Sequence, residues 1–99
     1  MATHKIVYLY RDAGNYKFRG EFCVAGSLSL SDLSPHLLDE QYFLPDKIGI
    51  PSLVPQFRNG DDHDLHEVEE VVRTVPTVCQ FTAGEFVSRV RAANIRGWF

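Results

Sequence analysis

Between Asp61 and Glu67 the chain reads Asp61-Asp62-His63-Asp64-Leu65-His66-Glu67, with three aspartates, two histidines and a glutamate in seven residues. Carboxylates and imidazoles bind metals and move protons near neutral pH, so metal-assisted or acid–base chemistry is what this stretch would serve. Its spacing matches no metal or reaction in particular. A zinc centre takes three or four ligands, and His63-x-x-His66 offers two histidines. On a helix His63 and Glu67 share a face. On a strand His63 and His66 point to opposite faces, as do His66 and Glu67, and only Asp62 or Asp64 would join His66. The reading adopted is an acidic loop running into a strand, with His63, His66 and Glu67 as candidate binding residues. No catalytic residue, metal or cofactor is assigned. An enzyme centred on Asp62, His63, His66 and Glu67 is the alternative.

A second group lies in Arg11-Asp12-Ala13-Gly14-Asn15-Tyr16-Lys17. Arg11 and Lys17 are placed to clamp an anion, and Tyr16 to stack on a ring. The stretch lacks the glycine-rich backbone leading into a helix that cradles phosphate. Asp12 and Asn15 are residues that hydrogen-bond local backbone in turns, so the structural expectation is a hairpin connection, with Arg11, Asp12 and Tyr16 kept as binding candidates. Ser27, Ser29, Ser31 and Ser34 form a polar stretch without a nucleophile elbow. Cys23 and Cys79 carry no reactive-thiol signature. Their apolar and β-prone neighbours predict reduced, mostly buried thiols.

The elements that would position these groups follow from periodicity. Lys5–Arg11 is β-branched and aromatic on both faces, as in a central strand. From Lys17 to Ala25, Phe18, Gly20, Phe22 and Val24 alternate with Arg19, Glu21 and Cys23, which predicts a strand returning antiparallel to the first. Ser34-Pro35 reads as a helix start, with the helix running to about Tyr42; Ser31 or Asp32 is an alternative start. Leu65–Thr74 is dense in valine, which favours a strand over the helix that Leu65, Val68 and Val72 also permit. Thr82 and Glu85 form a capping box. It opens a helix whose inner stripe is Phe86, Val87, Val90 and Ala93, with Asn94 as a stop, and Trp98 and Phe99 dock back on the domain. The expected fold is α+β: a small antiparallel sheet of three to four strands with two helices packed on one face.

Phe43 to Phe57 combines three prolines with seven large apolar residues. The prolines oppose a hydrogen-bonded ladder, and the apolar content opposes a solvated loop. The expectation is a strap over the core with one edge offered to a partner, through Ile48 and Ile50.

Ninety-nine residues make one domain, 1–99. Net charge is −3, with nine carboxylates against Lys47 and Arg58 from Asp39 to Glu70 and eight basic against four acidic residues elsewhere. The acidic middle argues against nucleic acid, which needs a basic footprint. No apolar run approaches the roughly 20 residues of a membrane span, and no export signal is visible, so a cytoplasmic location is expected. Three segments carry a resemblance: Tyr10–Lys17, Tyr42-Phe43-Leu44-Pro45 with Ile48-Gly49-Ile50-Pro51, and Asp62-His63 with His66-Glu67. Their order resembles a group of small uncharacterised bacterial single-domain proteins, which implies a bacterial, single-domain, cytoplasmic protein and adds no mechanism. The sequence therefore points to a non-enzymatic protein-interaction or regulatory module, with a protein partner or a second copy as its ligand.

Overall fold

The computed structural model describes residues 2–11, 16–54 and 65–98. The longest strands form where the sequence is β-branched or alternates. β1 is Thr3–Arg11 and β2 is Lys17–Ala25, paired antiparallel in unbroken register from Thr3↔Ala25 to Arg11↔Lys17. On the other side of β1 lies His66–Thr74, antiparallel to it, with a bulge where the register slips between Val7 and Tyr8. The valine-rich stretch is thus a strand, because its branched side chains pack on a pleated surface better than on a helix.

Two further strands are only two residues long. Tyr42–Phe43 pairs with Glu67 and His66, and Phe81–Thr82 runs parallel to β2 at Val24 and Ala25. Numbered along the chain these are β3 and β5, the valine-rich strand is β4, and the sheet order is β3-β4-β1-β2-β5. The expectation of three to four antiparallel strands with two packed helices is therefore corrected. Among the described residues the sheet has five strands, is mixed, and curls into a half-barrel with three helices. The miss has a physical source: a two-residue strand has no alternation of its own and exists only because a neighbour offers it a ladder.

The helices differ in weight. α1 (Leu30–Leu33) is a single turn capped by Ser29 and Asp32, and it continues as a 3-10 turn over Ser34–His36. The helix expected to reach Tyr42 stops there. Asp39 and Glu40 take positive φ values of 51° and 63°, and Leu38 and Tyr42 exchange backbone hydrogen bonds of 2.8 and 2.9 Å around them. α2 (Pro45–Ile48) opens on proline at its first position and ends at Gly49, whose φ of 81° suits a residue without Cβ. α3 (Ala83–Arg96) carries the expected capping box, with Thr82 accepting from the Glu85 N–H at 3.1 Å.

The core lies inside the curl. Ile6, Tyr8, Val24 and Phe43 from the sheet share one core with Phe86, Val90 and Ala93 of α3 and with Trp98. Ile48 and Ile50 are 2% and 5% exposed, so the proline-rich segment wraps its own domain as a strap as far as Val54; residues 55–57 lie outside the described residues. Two side chains of the sheet's inner face hold it. The Tyr8 hydroxyl donates to the Pro51 carbonyl at 2.7 Å, and the Leu53 N–H donates to Nε2 of His66 at 3.0 Å. Gly20, opposite Tyr8, leaves room for both the Tyr8 ring and Leu53, since a Cβ there would lie 2.9 Å from each.

Burial pushes the Tyr8 phenol above its ordinary value of 10.0. The neutral hydroxyl is the form that donates to Pro51. Its contribution is complete below the unfolded value and is lost as pH rises through the folded one. Tyr8→Phe should cost about 1 kcal/mol at neutral pH and should remove part of the alkaline loss of stability above pH ~10. Urea melts at pH 8 and above pH 10 check both outcomes.

The cysteines correct a second expectation. Cys23 on β2 and Cys79, between β4 and β5, form a disulfide across 56 residues with Cα atoms 5.3 Å apart. They are half-buried rather than buried. The segment leaving β4 has to cross β1 and β2 to reach β5, and this crossing brings Cys79 onto the outer face of β2.

Candidate interaction surface

β2 sorts its side chains by face. Phe18, Gly20, Phe22 and Val24 lie opposite Tyr10, Tyr8, Ile6 and His4 on the inner face, and Lys17, Arg19, Glu21 and Cys23 lie on the outer one. Its backbone sorts in the same way. The Gly26 N–H donates to the Ala2 carbonyl at 2.7 Å, and these residues stand directly opposite in the extended register. Hydrogen-bonded pairs alternate along an antiparallel ladder. The even-numbered residues from Phe18 to Val24 therefore spend their N–H and C=O groups on β1, and Lys17, Arg19, Glu21 and Cys23 point theirs away from it.

β5 takes up this outer edge only at Val24 and Ala25. From Lys17 to Cys23, no described residue pairs with it. A sheet edge is usually blunted by a bulge, a proline or a cover. β4 has an open edge beyond Glu67 too, but the bulge interrupts it at Glu69. β2 has neither bulge nor proline along its open stretch.

Charges on the outer face are paired across strands. Arg19 donates to both carboxylate oxygens of Glu69, at 2.7 and 2.6 Å. The guanidinium holds the Glu69 carboxyl below the usual carboxylate range, and the carboxylate in turn raises Arg19. Lys5 lies 3.5 Å from Glu21. On the same face Val7 and Leu9 are 8% and 2% exposed. The side chains of Arg19 and Glu21 remain 60% and 62% exposed.

The residues singled out in the sequence are dispersed. Asp12, Asp62 and His63 lie outside the described residues. Tyr16 is 72% exposed. His66 and Glu67 part company, as strand geometry requires. His66 is 1% exposed among the rings of Tyr8, Tyr10 and Phe43, where its Nε2 accepts from Leu53. Glu67 turns to the outer face, 3.1 Å from Arg11, beside a shallow cavity of about 90 Å³ lined by Leu9, Tyr42 and Leu65. Thus Arg11 and Glu67, from two separate sequence clusters, come together as an ion pair. Ile48 and Ile50 are in the core and present no patch on the single chain. Among the described residues no group of three or more His, Cys, Asp or Glu side chains could hold a metal ion, and no helix is long and apolar enough to cross a membrane.

Sequence reasoning identified β2 and its alternation but did not single out its edge. The missing information was how few residues β5 would cover. No family model, curated protein or solved structure matches this chain, so function is read from its own surface.

Proposed function

We propose that this protein is a small non-enzymatic protein-interaction module, and that the outer edge of β2 takes up an extended segment of its partner. The observation that carries the reading is the run from Lys17 to Cys23: regular, free of bulge and proline, with alternate backbone groups directed away from β1. Strand addition draws its affinity from such groups and its selectivity from the flanking side chains. Phe18 and Phe22 supply an apolar inner rim, and Arg19 and Glu21 a charged outer one. The bacterial, cytoplasmic setting expected from the sequence belongs to this proposal. The Cys23–Cys79 disulfide bears on the setting, since such bonds persist in oxidising compartments and are short-lived in the cytosol.

Glu21→Pro tests the reading. Glu21 points its N–H outward, so proline there spares the β1–β2 ladder while removing an edge donor and the carboxylate beside Lys5. Wild type and Glu21→Pro are cross-linked in the native host and the captured proteins identified. A protein recovered with wild type and lost with a folded Glu21→Pro supports strand addition. Equal recovery with both contradicts it.

A further inference from the structure

From Phe18 to Phe22 the open stretch of β2 is symmetric about Gly20 in its aromatic residues and opposite in charge at Arg19 and Glu21. Lys17-Phe18-Arg19-Gly20-Glu21-Phe22-Cys23 places a glycine at its centre, opposite charges one residue to either side, and phenylalanines one residue further out. We propose that the strand received on this edge is β2 of a second copy, paired antiparallel about a two-fold axis through Gly20. The proposal rests on the strand-addition reading above and names its partner.

Three features of the edge converge on this register. The first is backbone parity. Lys17, Arg19, Glu21 and Cys23 direct their N–H and C=O groups outward. With Gly20 on the axis, Arg19 stands opposite Glu21 of the second copy, a pair able to exchange both N–H···O bonds, and the ladder is bounded beyond Glu21, where Cys79 lies against Cys23 at a Cα separation of 5.3 Å. The second is charge. Arg19 faces the other copy's Glu21 at both ends of the pairing, and opposite charges directly across an antiparallel pair are stabilising. Shifting the register by two residues, the smallest step that keeps the faces matched, puts Arg19 against its own copy or Glu21 against its own. Like charges then meet on the axis, which is unfavourable. The intramolecular partners extend the match into an alternating row across the joined sheets: Glu69, Arg19, the second copy's Glu21 and its Lys5. Exposed ion pairs contribute most when they form such networks.

The third feature is shape. On the inner face Phe18 stands opposite Phe22 of the second copy, and both are half-buried in the single chain. At the axis Gly20 has no side chain, and Tyr8 and Leu53 already cover its inner side. β5 ends the open stretch at Val24, so the paired segment is bounded at one end by the fold itself. A two-fold pairing of this kind is closed and isologous: it makes a dimer and leaves no copy of the same edge free.

The charges supply a test that does not depend on fold stability alone. In R19E every residue facing the axis pair is acidic, and in E21R every one is basic. Sedimentation velocity over a concentration series should show wild type moving from monomer to dimer, and each single variant as a folded monomer by circular dichroism. Mixed in equal amounts, R19E and E21R should associate one to one, because each then meets its opposite charge at both ends. Should R19E fail to fold for want of its Glu69 bridge, E21R and Glu21→Pro carry the test: both must be folded and monomeric. A wild type that stays monomeric at the highest reachable concentration overturns the inference, as does a dimer that E21R leaves intact. If wild type is monomeric yet still captures another protein in a manner lost with Glu21→Pro, only this inference fails. If that capture fails as well, the strand-addition reading falls with it.

Discussion

Replacing Phe86 with alanine should lower the stability of this domain by about 3–5 kcal/mol, the range for truncating a buried phenylalanine. Phe86 is 2% exposed, with its ring 5.0 Å from that of Phe22 and 6.0 Å from that of Phe81. It is the point where α3 meets β2 and β5, so its loss opens a cavity that three elements line and none can fill. Small domains hold about 5–15 kcal/mol in all, so the variant should sit close to its unfolding midpoint in mild denaturant. Equilibrium urea unfolding followed by circular dichroism measures the change. A midpoint equal to that of wild type would place Phe86, and α3 with it, outside the core.

Cys79→Ser should have an effect of similar size through a different state. The disulfide closes a loop across 56 residues. Removing a link of that span returns entropy to the unfolded chain worth about 4 kcal/mol in the loop-closure description. The folded state should keep its sheet, because β1, β2 and β4 are joined by ladders that do not involve the cysteines. The crossing between β4 and β5 would lose its tie to the outer face, where Val75 and Val78 are already 77% and 96% exposed. Urea unfolding with and without reductant gives the wild-type difference, and Cys79→Ser should match the reduced protein. If reductant leaves the midpoint of wild type unmoved, the bond does not constrain this chain.

Legibility in the sequence followed how far each element depends on itself. β1, β2 and β4 carry their own patterns in Val7 with Leu9, in the alternation from Phe18 to Val24 and in the valines of 68 to 72. α3 announces itself through Thr82 and Glu85. β3 and β5 do not, because Tyr42–Phe43 and Phe81–Thr82 are strands only by virtue of what lies beside them. The helix expected to reach Tyr42 was overruled by a reversal at Asp39 and Glu40, two residues of which only the aspartate tolerates positive φ with any ease. The disulfide was illegible for a topological reason: Cys79 meets Cys23 only because the chain must cross the sheet to lay β5 beside β2. The candidate surface was half legible. Arg19, Gly20 and Glu21 stand in the sequence, but that among the described residues only β5 pairs with this edge, at Val24 and Ala25, does not.

Residue-resolved hydrogen exchange in β2 tests the central claim most directly. In dilute protein the amides of Phe18, Gly20 and Phe22, bonded to β1, should exchange slowly, and those of Arg19 and Glu21, directed outward, should exchange fast. As concentration rises, the outward set alone should slow until both sets are protected alike, because a second strand has occupied the edge. Fast exchange at Arg19 and Glu21 that does not change with concentration, or slow exchange there already at high dilution, would contradict the account.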